Sequence, residues 1–454
     1  MEKQTLHPAI GAWYDAHGGE VQQLARAFWE DPELSAEEYR ACERTKQFFE
    51  AHGFTVETCN YRYDDKPHNT VVATAGSGAP VIGFYGEYDA LPGLGQEDVP
   101  YECPKEGPGH GCGHCLMTPA IGSAAIAAYQ AMKAEGLSGT IRFIATPAEE
   151  IAEGKPWLYK RGVFEGLDCC LSWHPTPWDL APAEGVLQAI STYKVEFFGK
   201  AAHAAISPEA GRSALDAAEM MNVGVQYLRE HVPDDVRIHY VYLAAGERVN
   251  IVPEYAATQY CIRGKDMEEV EAVSRRVMDC AAGAALMAGV KEKHILQLAN
   301  SETVILHSFN RFLYECAQAA PALEYTPEED AFARELHKNI TGKDDPKVNP
   351  LPRILEAPTG VEEHYTGSTD AGYLTKTVPT ARLYGLGVVR DTPGHHWGVV
   401  ASAGSSIGQK AAVYVGQCLA QCAYMTALHP EQIDLWKAEL REKAGEVHVL
   451  LPEE

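Results

Sequence analysis

Apolar letters recur at helical spacing from Ile10 to Glu30, break at Asp31-Pro32, and resume after Ser35-Ala36-Glu37-Glu38. That tetrapeptide reads as the capped start of a second helix, which ends at His52-Gly53. Short β-rich runs follow at Phe54–Thr58, Thr70–Ala75 and Val81–Gly86, before the turn-rich Asp89-Ala90-Leu91-Pro92-Gly93. A Gly/Pro/Cys-rich loop over 101–113 leads into Leu116–Lys133, small and apolar on every side, which predicts a buried helix. Thr140–Thr146 reads as a strand, Trp157–Arg161 as helix and Asp168–Trp173 as another strand. Strands alternating with helices predict an α/β fold with a mostly parallel sheet and helices on both faces.

The pattern changes after Glu184. Ile190–Phe198 alternates as a half-exposed strand does, Ser213–His231 is an amphipathic helix, and Val236–Ala245 and Glu254–Arg263 are strands. A helix over Met267–Ala288 and an extended run over His294–Thr303 complete a β-α-β-β-α-β order, which is ferredoxin-like. From His307 the helices return, followed by a Gly/Thr-rich stretch, a His-His turn and a long final helix pair. The simplest division is an α/β domain over 1–188 and 302–454, interrupted by an α+β domain over 189–301.

Composition narrows the partners rather than the fold. The chain has 454 residues, 46% hydrophobic and 22% charged, so it is globular rather than disordered, with an ample core. Its formal net charge of −25 repels phosphate backbones and anionic lipid, which argues against nucleic-acid and membrane partners. Met1–Thr5 lacks a basic stretch followed by an apolar one, so no export signal is read there, and Ala120–Met132 is too short to span a bilayer. Twelve cysteines are too sparse for a disulfide scaffold, and a cytoplasmic protein with reduced thiols is expected.

Metal-ligand letters gather at four places: Gly109-His110-Gly111-Cys112-Gly113-His114-Cys115, Pro147-Ala148-Glu149-Glu150, Trp173-His174-Pro175 and Pro393-Gly394-His395-His396-Trp397. Each alone has a bland reading: a core thiol, a solvated helix start, a hydrogen-bonded loop histidine, a surface turn. The second and third follow strand ends, and the carboxyl edge of an open α/β sheet is where ligands bind. Thiolate, imidazole and carboxylate together suit a borderline divalent ion: zinc or manganese first, cobalt or nickel as alternatives. Of two adjacent glutamates, one can bind metal while the other takes the proton of an attacking water.

Those strings, with Gly86-Glu87-Tyr88-Asp89-Ala90-Leu91-Pro92-Gly93-Leu94-Gly95, Gly199-Lys200-Ala201-Ala202-His203-Ala204-Ala205 and Gly211-Arg212-Ser213-Ala214-Leu215-Asp216-Ala217, resemble the co-catalytic metallohydrolases. This family holds aminoacylases, carboxypeptidase G-type enzymes and amidohydrolases, and the branch resembled is that of p-aminobenzoyl-glutamate hydrolases. The resemblance, in order from near residue 10 to near 430, implies a zinc exopeptidase-like fold with the inserted domain serving as lid and dimerisation module. It implies that Cys112, His114, Glu150, His174 and His395 bind two divalent ions, with His395 preferred to His396. Glu149 is implied as general base, and Asp89 as the carboxylate that holds a histidine ligand. His203 is implied to reach a partner's active site and stabilise the oxyanion, and Asn250 and Arg263 to hold a substrate carboxylate.

The expected function is therefore metal-dependent hydrolysis of an N-acyl or N-aroyl amino acid, or a dipeptide-like amide. Homodimerisation through the inserted domain is expected, with a hetero-oligomer as the other arrangement. The competing functions are hydrolytic deamination of an activated aromatic amine and a non-catalytic role in a hetero-oligomer. Cys115 stands where relatives carry Asn or Asp, which leaves open an alternative ligand or simple packing, and the 101–108 segment is unusual, which leaves the substrate open.

Overall fold

The computed structural model describes residues 5–445, 447 and 449–452. Residues 1–4, most of the segment in which no export signal is read, lie outside the described residues, as do 446, 448, 453 and 454. In chain order the elements begin α1 (Pro8–Glu30), α2 (Tyr39–Ala51), β1 (Thr55–Cys59), β2 (Thr70–Ser77), β3 (Val81–Glu87), α3 (His114–Glu135), β4 (Gly139–Thr146) and α4 (Gly154–Lys160). They continue with β5 (Cys169–Thr176), β6 (Ala181–Pro182), β7 (Gly185–Leu187), β8 (Ala189–Phe198), α5 (Ala214–Leu228), β9 (Arg237–Ala244), β10 (Tyr255–Gly264), α6 (Met267–Ala288) and β11 (Lys291–Asn300). The last are α7 (His307–Ala317), α8 (Pro327–Thr341), β12 (Glu363–Tyr365), α9 (Gly372–Thr377), β13 (Thr380–Gly387), α10 (Trp397–Gly404), α11 (Ser406–Leu428) and α12 (Glu431–Lys443).

Two compact units result. The first comprises the chain up to Glu184 with Val304–Glu362 and Leu374–Gly445; the second comprises Gly185–Thr303, Glu363–Tyr373 and the described residues beyond Gly445.

The first unit is built on a seven-stranded sheet in the order β1-β2-β4-β3-β5-β13-β6. Its centre is parallel, β4 with β3, β3 with β5 and β5 with β13. Its margins are antiparallel, β1 with β2, β2 with β4 and β13 with β6. The sheet is thus mixed, and the expected parallel order is confined to the middle. Link length explains the first margin: a parallel connection needs a crossover of about a dozen residues or more, and 60–69 between β1 and β2 does not supply one. The short links 78–80 and 177–180 likewise turn the chain back, so β2 runs against the β3–β4 pair and β6 against β5 and β13.

Helix α3 lies against β3, β4 and β5 on one side and against α1 and α11 on the other. It runs to 22 residues, longer than the apolar stretch read from the sequence, and by length and composition it is able to cross a membrane. Its apolar window is 89% buried inside the protein, so its all-round hydrophobicity is that of a core helix. Small residues let the three helices approach: the Tyr14 and Ser123 hydroxyls hydrogen-bond at 2.9 Å beside Gly416 of α11. A Cβ on Gly416 would stand 2.2 Å from the Tyr14 hydroxyl oxygen and 3.0 Å from the Ala120 carbonyl oxygen.

The second unit has a four-stranded antiparallel sheet, β11-β8-β10-β9, with α5 and α6 packed together and against it. Val195, Phe197, Met221, Val225, Val273 and Val277 form part of its separate core. The short β12 pairs in parallel with β7, which brings 363–365 into this unit. Strand β9 is an edge, and it exposes Tyr240, Val241, Tyr242 and Leu243.

Because the buried Tyr14 ring and the Ala120 backbone face Gly416, Gly416→Leu should overpack the α1–α3–α11 crossing and cost about 1–3 kcal/mol. A urea titration followed by tryptophan fluorescence would show the midpoint falling, and an unchanged midpoint would contradict this packing.

Candidate metal centre

The centre is assembled in the first unit where the parallel strands end. Strand β3 finishes at Glu87 and delivers Asp89 two residues later, while Glu149 and Glu150 follow β4 and His174 lies near the end of β5. His114 opens α3, Cys112 lies in the turn before it, and His395 lies in the turn before α10. Parallel neighbours end on one edge, so residues far apart in sequence are aimed at one place.

Asp89, 1% exposed, ties the pieces together. One carboxylate oxygen accepts from His114 Nδ1 at 2.9 Å; the other accepts from the Glu150 backbone N–H and the Ser35 hydroxyl, each at 2.8 Å. With Nδ1 engaged, His114 presents Nε2, a buried atom without a hydrogen-bond partner that stands 3.3 Å from Glu87 Oε2. His174 is oriented likewise: Nδ1 donates to the Pro175 carbonyl at 2.9 Å, leaving Nε2 facing Cys112 Sγ at 3.4 Å. Its ring lies on Tyr384, with centroids 5.6 Å apart. His395 Nε2 stands 3.3 Å from Glu150 Oε2, and Glu150 Oε1 is another buried oxygen without a partner.

Two groups of donor atoms lie mutually within 4.8 Å and share one sulfur: Cys112 with His114 and His174, and Cys112 with Glu150 and His395. A third group of the same span joins Glu87, His114 and Glu149. Sulfur, nitrogen and oxygen donors with orphaned, buried lone pairs fit a borderline divalent cation. The electrostatics agree. Burial pushes the Cys112 thiol up to about 12, so ligation would have to displace its proton, as a divalent ion does. Burial, then the neighbouring His114, holds His174 down to about 4, a neutral imidazole with a lone pair to give. Burial opposes charge on His114, but Cys112 and Asp89 outweigh it and raise its pKa.

Backbone strain aims the ligands. Gly113 sits at φ 83°, and a Cβ there would come within 2.7 Å of the Pro175 ring. Ala148 and His395 take the left-handed conformation without being glycine, at φ 58° and 54°. Ala148 is held there by Glu38, fully buried, which accepts its N–H at 2.6 Å. The Ser35–Glu38 segment therefore does not cap α2; the Glu33 carboxylate does, accepting the Arg40 and Ala41 N–H groups at 3.0 and 2.7 Å. Burial and the nearby Asp89 hold the Glu38 pKa above the carboxylate range.

The structure brings together Asp89, Cys112, His114, Glu149, Glu150, His174 and His395. His396 instead accepts the Gly398 N–H at 3.2 Å, capping α10, and Cys115 is fully buried in the apolar core outside all the donor groups. His203, Asn250 and Arg263 belong to the second unit. There the Ala204 N–H donates to the Asn250 carbonyl at 3.0 Å, so His203 and Asn250 lie on paired, exposed strands of loop. His203 Nδ1 accepts the Ala205 and Ile206 N–H groups at 3.2 Å, which puts the ring proton on the other nitrogen. Arg263 lies apart from them and donates to Ser368 Oγ at 3.1 Å and the Thr366 carbonyl at 3.3 Å.

Sequence reasoning missed Glu38 and the Glu87–Lys155 pair. Glu87 Oε1 accepts from Lys155 Nζ at 2.6 Å, and both residues are buried. Burial opposes the Glu87 charge, but Lys155, with His114 and His174, outweighs it, and the Glu87 pKa is lowered. Its only signal in the sequence was a carboxylate ending an apolar strand two residues before Asp89.

Residues 83–399 match the family model described as peptidase family M20/M25/M40. Over 448 residues the chain is 31% identical to a p-aminobenzoyl-glutamate hydrolase subunit of Escherichia coli strain K12, covering 92% of this chain and 91% of that protein. The chain belongs to the M20/M25/M40 peptidase family. It is a metal-dependent hydrolase of the peptidase and amidohydrolase kind. It is also 32% identical over 278 residues to a mouse Xaa-Arg dipeptidase, over 59% of this chain and 60% of that one. Among solved structures, a dinuclear metal-binding M20 peptidase from Bacillus subtilis superposes with a TM-score of 0.62 at 19% identity, over 91% of this chain and 99% of that one. An aminobenzoyl-glutamate utilization protein from Klebsiella pneumoniae gives 0.62 at 19%, over 92% and 98%. Both show the shared fold.

Lys155→Met would leave the Glu87 carboxylate buried without its cation, at a cost of about 3–5 kcal/mol. Adding Glu87→Gln should recover part of that loss in a thermal or urea melt. A double variant no more stable than Lys155→Met alone would mean that the lysine contributes packing rather than charge.

Proposed function

We propose that the enzyme hydrolyses the amide of an N-acyl or N-aroyl amino acid at a centre of two divalent ions that share Cys112, with p-aminobenzoyl-glutamate the first substrate to try. The observation that carries this reading is the pair of donor groups overlapping at one sulfur, with Glu149 beside them. Cys112, His114 and His174 would hold one ion, and Cys112, Glu150 and His395 the other, zinc or manganese before cobalt or nickel. Such ions supply Lewis acidity to an attacking water and to the scissile carbonyl.

The protein's own groups do the rest. Glu149 takes the proton from the water and passes it to the leaving nitrogen, so that an acid and a free amine depart without a covalent intermediate. Asp89 keeps His114 in the tautomer that presents Nε2. His203 donates its ring N–H to the developing oxyanion at the centre of a second copy, and Asn250 and Arg263 bind the substrate carboxylate. The segment 189–301 acts as lid and dimerisation module, and the exposed apolar edge strand β9 is in keeping with a contact between protomers. The relative named as one subunit of a hydrolase keeps a hetero-oligomer in view. Free thiols throughout the described chain agree with a cytoplasmic location.

Chelation should abolish release of glutamate from p-aminobenzoyl-glutamate, and added zinc or manganese should restore it. Glu149→Ala should lower kcat by about 10²–10⁴-fold with metal content unchanged. A variant that kept most of its turnover would show that another group is the base. Mixing inactive Glu149→Ala with inactive His203→Ala protein should regain part of the activity, and no recovery after the protomers have exchanged would mean that His203 does not serve a partner's centre.

A further inference from the structure

Away from the centre, one ionisable cluster on the flank of the first unit stands unused. His17 and Glu20 are one turn apart on α1, and His52 is the residue that ends α2. One donor atom from each lies within 4.8 Å of the other two. Glu20 Oε2 is 3.2 Å from His17 Nδ1 and 3.2 Å from His52 Nε2. We propose that His17, Glu20 and His52 form a separate binding site for a borderline divalent cation, zinc above all, which pins α1 to the end of α2.

The geometry fits a shared ion. Charge-assisted N–H···O bonds contract to about 2.7–2.9 Å. Both contacts lie at the long end of the N–H···O range, and they also match the edge of a zinc tetrahedron: ligand bonds of about 2.0–2.1 Å place neighbouring ligands about 3.3 Å apart. Three protein donors leave the fourth corner to water, which the exposure allows: the His17 and Glu20 side chains are 39% and 41% exposed, against 10% for His52.

The charge balance points the same way. Among the described residues, Glu20 has no lysine or arginine within 4.0 Å, only the two imidazoles. The rings are also set in advance. Trp13 stacks on His17 with centroids 5.1 Å apart, and His52 is gripped by Trp13 at 5.4 Å and Phe48 at 5.1 Å. His17 and His52 meet edge to face at 4.9 Å. A histidine and a glutamate three residues apart on one helix, with a histidine from a second helix, can converge on one cation without backbone movement.

Full-length protein, stripped with chelator and dialysed against zinc, should carry one more zinc per chain than the His17→Gln/His52→Gln variant. Addition of zinc should raise Tm further in the parent than in that variant, and turnover per enzyme should be the same for both. The difference does not depend on the metal centre, because that centre is intact in both proteins. Glu20→Gln, a part-exposed substitution, gives an independent reading should the double variant fold poorly: it should lower zinc uptake in the same way. Equal zinc content in the parent and in a folded variant would overturn the proposal.

Discussion

A single buried carboxylate organises this protein's chemistry. Asp89 binds an imidazole on the first residue of α3, the backbone of Glu150 beyond β4, and a hydroxyl from the segment before α2. Three parts of the chain that share no local sequence are thereby fixed to one another within hydrogen-bond tolerance. A carboxylate removed from water is tolerated only when its oxygens are fully engaged, so the arrangement is self-enforcing: loosening one partner leaves the remaining charge more costly to bury. The stabilised form is also the useful one, since engaging Nδ1 of His114 leaves Nε2 as the only nitrogen facing the centre.

Around that knot, the protein accepts strain and buried charge where an ordinary core would avoid both. Ala148 and His395 occupy left-handed backbone without being glycine, and the Glu38 carboxylate secures the first of these turns from beneath. Glu87 and Lys155 add an internal ion pair whose carboxylate leans toward His114. The supporting layer is apolar and closely packed: α3 between α1, α11 and the sheet is rigid enough to absorb these costs.

Family membership and local geometry answer different questions. The fold is shared with M20 structures at 19% identity, which says how strands and helices are arranged, while specificity lies in contacts that vary on a common frame. Identity of 31% over nearly the whole length to a p-aminobenzoyl-glutamate hydrolase subunit narrows the choice of first substrate.

The sequence by itself determined most elements and their types, because hydrophobic periodicity is a local property: α6 begins and ends where the pattern does, and α3 is legible as a buried helix from its small apolar letters. Through the resemblance of its short strings it also pointed to Cys112, His114, Glu150, His174 and His395, whose donor atoms the fold brings close together. Only the tertiary structure decided what those strings do to one another. The antiparallel run of β1 against β2 follows from a link too short for a crossover, and the pairing of β12 with β7 joins segments separated by most of the second unit and two helices. Ser35 and Glu38 read as a helix cap and instead support two turns of the centre, because a polar side chain near a helix start has the same letters whether it bonds its own backbone or that of a strand end more than a hundred residues away. Distance between partners in the chain, not ambiguity in their chemistry, is what hid them.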